Sequence, residues 1–420
     1  MTTAPRQTLR IRSEADLVTV IPYLLGFHPE HCVVLIGSRG RHSDHRSFVA
    51  RIDLPEPKST QSAESVSAVL VETASRARLR SAALVVYAGS EVLPDGGHRF
   101  VQNVVDRLTQ TGTEVQEAIR IDGDRWWGYL CARHGCCAGA GHPIVPPGEP
   151  GGSSLIAAQA VAEGWVPLRS RAVLAETLRP VSEVAFAAVD QALAELMERF
   201  ARQSGDATGA WRRLRLGTLG LVEELLRTGE AGGRIALSPA QAALLLTGLQ
   251  DRRTRDLCMG WTAGAHGRAA VELWTQLVRM APPPLGAAPA TVLAYVAWQR
   301  GGGAIVTLAI ERALAHDPQD RLARLLADLV FGGVDPADCT PADWLAELDP
   351  DEVLELADEA QDPGSAVDAD YGPGLSACPD PPAEAEVDPG IARREPEAGA
   401  SARPDAPTGA SAVVIGARCA

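Results

Sequence analysis

Lysine is almost missing from this chain. Lys58 is the only one, so nearly all of the 39 basic residues are arginine. Alanine, glycine and proline are abundant, a pattern that G- and C-rich codon usage produces by itself. Arginine clusters such as Arg76, Arg78 and Arg80 therefore read as solvated helix faces rather than as binding patches. Positive charge in excess is missing too: 53 acidic residues give the 420-residue chain a net charge of -14. That argues against the basic footprint through which DNA, RNA or an anionic membrane surface is held. No apolar run approaches the roughly 20 residues that cross a bilayer, and residues 1–12 lack the continuous apolar stretch of a secretory signal. These absences predict a cytoplasmic protein with no nucleic-acid and no membrane partner. In that compartment its eight cysteines are expected to be reduced, which argues against a disulfide framework.

Recognisable catalytic signatures are also lacking. There is no serine elbow, no HExxH and no dinucleotide glycine fingerprint. Gly37-Ser38-Arg39-Gly40 departs from the phosphate-binding Walker pattern and is followed by a strand-like segment, so it reads as a turn. An enzyme has little to stand on here.

What is present is a clear order of elements. Ser13 followed by Asp16 has the form of a helix-starting cap, and Leu17, Val20, Ile21, Leu24 and Leu25 continue it until Gly26 and Pro29. Cys32 to Ile36 is a continuous apolar run suited to a strand covered on both faces. Gly37 to Asp44 forms a polar turn, and a second strand follows from Ser47 to Leu54. A helix is expected over 63–79, a buried strand over 82–88, a helix over 100–108 and a strand over 114–121. Alternating strands and helices predict an α/β domain over residues 9–145 with a mixed or parallel sheet and flanking helices. A proline- and glycine-rich linker, 146–153, ends it.

From 154 to 360 the apolar period is that of helices, predicting an all-α domain. Ser238-Pro239-Ala240-Gln241 combines a cap, a proline at the first helical position and a returning glutamine. Further helices are expected over 181–202, 211–227 and 269–280. Leu293, Ala294, Ala297, Gly301, Ile310, Ala313 and Pro318 fall at tetratricopeptide-like offsets, with a looser relative at Trp261, Ala270, Trp274 and Pro282. If the repeat is real, a groove for a protein or peptide partner follows; a plain helical hairpin fits the same residues. Residues 361–420, acidic and rich in proline and alanine, are expected to be disordered.

The richest chemistry lies at Trp126-Trp127, followed by Cys131, His134, Cys136, Cys137 and His142. Zinc needs about four sulfur or nitrogen ligands, which these thiols and imidazoles could supply. The two adjacent thiols and the lack of a second paired knuckle fit that poorly. Redox pairing would join Cys131 to Cys136 or Cys137, because neighbouring cysteines sit too close for an unstrained bond. The third reading is structural, with reduced thiols packed beneath the aromatics. His28 and His31, flanking Pro29, form a second candidate site, either as ligands or proton carriers or as exposed loop residues.

Three segments together resemble an actinobacterial family known only as a domain of unknown function, DUF4192: Pro22 to Pro29 with the strand Val33-Val34-Leu35, Trp126 to Pro143 with its single and then paired cysteines, and the hairpin from Leu293 to Pro318. The resemblance spans about residues 9–329. The chain departs from the family pattern at Cys32 and Gly128, where serine is commoner, and in the loop after Cys137, where proline is expected. The resemblance implies the two-part organisation and supplies no reaction. The sequence thus points to a non-catalytic protein-binding or regulatory protein that needs no cofactor. The alternative is an enzyme or a redox or metal sensor built on Cys131, Cys136 and Cys137.

Overall fold

The computed structural model describes residues 11, 13–40, 47–54, 63–89, 93, 97–130, 139–146, 154–162, 166–202, 207–263, 267–334, 336, 339 and 410–417. Helix α1 spans Glu14–Leu25. It begins where Ser13, in extended backbone, accepts a hydrogen bond from the Asp16 amide at 3.1 Å, relieving one of the unpaired N–H groups of the first turn. It ends at Gly26, whose φ of 79° lies in the left-handed region that favours glycine.

Strands β1 (Cys32–Ser38), β2 (Ser47–Asp53), β3 (Ser81–Tyr87), β4 (Glu114–Asp122), β5 (Arg125–Gly128) and β6 (His142–Pro143) join a last strand, β7 (Ala410–Ala417), in one sheet of order β6-β5-β4-β3-β1-β2-β7. Only the β3–β4 pairing is parallel, so the sheet is mixed. Alternation along β1 explains its unbroken apolar run. Cys32, Val34 and Ile36 face α1, whereas Val33 and Leu35 face α2 (Ala63–Arg76) and α3 (His98–Gln110). Both faces are covered, and both must be apolar.

The structure departs from the sequence expectations in several places. Gly37 and Ser38 continue β1 rather than turning, and residues 41–46 of the expected turn lie outside the described residues. Helix α2 stops at Arg76 because Arg78 takes a φ of 51° and carries Leu79 into the core. Strands β5 and β6 were not foreseen. Within the tail expected to be disordered, Ala410–Ala417 instead pairs antiparallel with β2; the rest of 361–420 lies outside the described residues.

Beyond the linker come α4 (Ser154–Ala162), α5 (Arg171–Glu176), α6 (Glu183–Arg202), α7 (Ala207–Glu230), α8 (Pro239–Gly248), α9 (Arg252–Ala263), α10 (Gly267–Met280), α11 (Ala287–Gln299), α12 (Ala304–His316) and α13 (Arg321–Phe331). The reciprocal cap foreseen at Ser238 and Gln241 is formed. Helix α11, first half of the expected hairpin, is buried on every side from Ala288 to Trp298, as a helix apolar all round must be. Arg215 in α7 reaches Asp251 at 3.0 Å with both side chains largely buried, and Asp251 also accepts from Thr254 at 2.7 Å. The helices also complete the sheet's layers: Ile156 and Ala160 of α4 and Ala304 of α12 share the core beneath α1.

Candidate functional site

Strands β2, β3 and β4 all run the same way, since β1 is antiparallel to both of its neighbours and β3 is parallel to β4. Their carboxyl ends therefore share one edge of the sheet, the edge where open α/β sheets commonly place ligands. Cross-strand register aligns a single row there: Asp53 opposite Cys32, Cys32 opposite Tyr87, Tyr87 opposite Ile121, Ile121 opposite Trp126, and Trp126 opposite His142. Residues in register share a face, and this is the face covered by α1.

Arg51 stands two residues before Asp53, on the same face, opposite Val34. Its side chain is only 7% exposed. The Nη2 group donates to Asp53 Oδ1, and the guanidinium lies 5.6 Å from the centre of the Phe27 ring, within reach of a cation–π contact. Its Nε and Nη1, fully buried, have no hydrogen-bond partner among the described residues, and the same holds for the Tyr87 hydroxyl. Such orphaned donors are uncommon in folded proteins.

Electrostatics follow from burial. Desolvation pushes the Cys32 thiol up to about 12, against the opposing pull of the Arg51 charge. Burial, and then Cys32, raise the Tyr87 phenol well above its ordinary value. Burial alone would lower Arg51, but Cys32 and Asp53 beside it carry it upward. At neutral pH this corner therefore holds a neutral thiol, a neutral phenol and a charged guanidinium.

The candidates foreseen in the sequence divide clearly. His28 and His31 are exposed at this same edge. The His28 amide donates to Leu168 O at 2.9 Å, and His31, with a φ of 46°, accepts from the Leu54 amide at 2.9 Å. Trp126 and His142 are brought together, their rings stacked at 4.5 Å and 25°. Trp127 turns to the other face, where the Arg120 guanidinium sits 4.3 Å above its ring. Its Nε1 donates to Gly139 O at 3.1 Å, and Arg125 Nη2 donates to Gly141 O at 2.9 Å. These contacts tie Gly139 and Gly141 to β5. Cys131, His134, Cys136 and Cys137 themselves lie outside the described residues. Among the described residues, no group of three or more His, Cys, Asp and Glu side chains is placed to hold a metal ion.

Sequence reasoning missed Arg51 and Tyr87. The signal was available: a lone arginine inside the strand Phe48-Val49-Ala50-Arg51-Ile52 must either snorkel or be buried with a purpose. Among the described residues, no helix is long and apolar enough to cross a membrane.

A family model described as a domain of unknown function, DUF4192, covers residues 15–337. No curated protein and no solved structure matches the chain.

Proposed function

The chain belongs to the DUF4192 family, a domain of unknown function, and we propose that it acts as a non-catalytic protein-binding or regulatory protein whose docking surface is built by α4 to α7. The observation that carries this reading is where apolar side chains are left in water. Leu155, Val161, Val166, Val184, Met197 and Trp211 are all exposed and all fall between residues 155 and 211. No large hydrophobic side chain is exposed among the described residues from 267 to 334. Scattered exposed apolar residues are ordinary; what supports the reading is that, apart from Leu130, every exposed large hydrophobic among the described residues falls on this stretch.

Helix α6 shows the pattern best. Of its 20 residues only Val189 is buried, while Val184 is 81% exposed and Met197 53% exposed. Phe200 packs edge-on against Trp211 with ring centres 5.2 Å apart, extending the apolar surface from α6 to α7. A helix this exposed gains little from intrinsic propensity and depends on packing for stability. Its charges are mainly acidic, with Glu183, Asp190, Glu195 and Glu198 against Arg199 and Arg202. The partner that fits is an amphipathic helix with apolar anchors and basic flanks. The buried α11–α12 hairpin is, on this reading, the support and not the groove.

Site-specific photo-crosslinking on the full chain tests the proposal. A crosslinker placed at position 184 or 197 should trap one protein in the native lysate, whereas one placed on the far side of the sheet at position 76 should not. Met197→Asp should abolish the capture without lowering the melting temperature. Equal labelling at all three positions, or none, overturns it.

A further inference from the structure

We propose that the carboxyl edge of the sheet binds a small organic carboxylate, held through Arg51 and Tyr87. The argument begins with unmade hydrogen bonds. Arg51 Nε and Nη1 and the Tyr87 hydroxyl are buried and have no partner among the described residues, although a buried donor left unpaired is costly enough that folded proteins rarely keep one. Both side chains flank the same residue: Tyr87 is directly opposite Cys32 on β3, and Arg51 is diagonal to it on β2. Directly opposed and diagonal cross-strand neighbours lie within about 5–8 Å of each other, so Tyr87 and Arg51 each border Cys32, one from either side of β1 and on the same face of the sheet. Each of the three unpaired atoms offers a proton. The guanidinium nitrogens can only donate, so the ligand must present acceptors, which carboxylate oxygens supply.

Access comes from the edge. His28, Glu30 and His31 are exposed just before β1, and Asp53 is 41% exposed, so the row passes from core to solvent within one residue. The charge balance selects among acceptors. Asp53 already engages Nη2, leaving a single guanidinium to be shared with that carboxylate. One added negative charge is the most that a guanidinium already paired with Asp53 could offset, whereas a doubly charged phosphate would meet stronger repulsion and only one cation. The neighbouring walls are apolar, with Phe27 against the guanidinium and Ile121 and Trp126 next along the row. They suit a carboxylate with a hydrocarbon or aromatic body, anchored at its head by charge-assisted hydrogen bonds.

Saturation-transfer NMR on the full chain, with sodium benzoate as the probe and benzyl alcohol and inorganic phosphate as comparators, tests this. Benzoate should show saturable binding in the millimolar range or tighter, and benzyl alcohol should not. Arg51→Met should remove the binding. Tyr87→Phe is the decisive variant, because it deletes only an unpartnered oxygen. It should melt no lower than the native chain, yet bind benzoate about tenfold more weakly. If Arg51→Met fails to fold, Tyr87→Phe alone still decides. The proposal is overturned if benzoate does not bind saturably, if phosphate binds in preference, or if Tyr87→Phe leaves the affinity unchanged.

Discussion

Cys32 and Cys258 show how far burial alone governs a side chain's chemistry. Each is fully enclosed, and desolvation pushes each thiol from 9.0 up to about 12, with the Asp256 charge adding to the effect at Cys258. The neutral thiol is thus favoured in the folded state relative to the unfolded one. This contribution to stability is fully present below pH 9 and is lost as pH rises from 9 towards 12. Urea unfolding at pH 8 and at pH 10.5 should reveal the loss, and the Cys32→Ala, Cys258→Ala double variant should reduce it, with the buried Tyr87 and Tyr295 phenols, also raised, accounting for what remains. Neither thiol should react with a thiolate-directed reagent at pH 8 until the chain unfolds. At this scale the sequence was only partly legible. The apolar run around Cys32 announced a buried strand, but nothing adjacent in sequence announced that Arg51 and Tyr87 would meet it, since register across three strands is a property of the fold.

Among the elements, the β5–β6 pair owes its geometry to a close approach of backbone to ring. Gly141 has a φ of 71°, and a Cβ added there would lie 2.7 Å from Trp127 Cζ2. Both the backbone conformation and the overlap penalise any side chain. Gly141→Ala should therefore cost about 1–3 kcal/mol and should shift the emission of Trp127 as its ring is displaced, measured by urea titration followed by fluorescence. An unchanged midpoint would show that the pair is not closed as described. Long periodic elements such as α1, α2, α3 and α10 were readable because one apolar face repeats over several turns. β5 and β6 were not, because four residues and two residues carry almost no period. The one available cue was Asp122-Gly123-Asp124. Gly123 has a φ of 59°, and Asp122 pairs with Arg125 across a two-residue turn, the glycine-first form that hairpins favour. β7 hid inside a segment whose overall composition is that of a disordered chain.

For the whole molecule, the division into a sheet and a helical half is real in composition but incomplete in packing. Ile156 and Ala160 of α4 and Ala304 of α12 complete the core under α1, and the Gly303 turn brings its Cα side so near α1 that an added Cβ would lie 3.1 Å from Leu24 O. Arg171 of α5 pairs with Glu311 of α12 at 2.7 Å, tying the segment after α4 to the hairpin. A fragment of residues 1–150 should therefore melt lower and less cooperatively than one of residues 1–340 and bind a hydrophobic dye, by circular dichroism and fluorescence respectively. Sharp, native-like melting of the shorter piece would show that α1 and the sheet need no cover from the helices. The order in which the chain is made adds a final consequence of β7. Roughly 350 residues separate β2 from the strand that pairs with its outer side. At a ribosomal pace of about 5–20 residues per second, that interval lasts some tens of seconds. For all of that time the nascent β2 lacks its β7 partner, and an unpaired strand edge invites pairing with other chains. The demand this protein makes on cellular chaperones should accordingly peak late in translation, when nearly everything but β7 has been made.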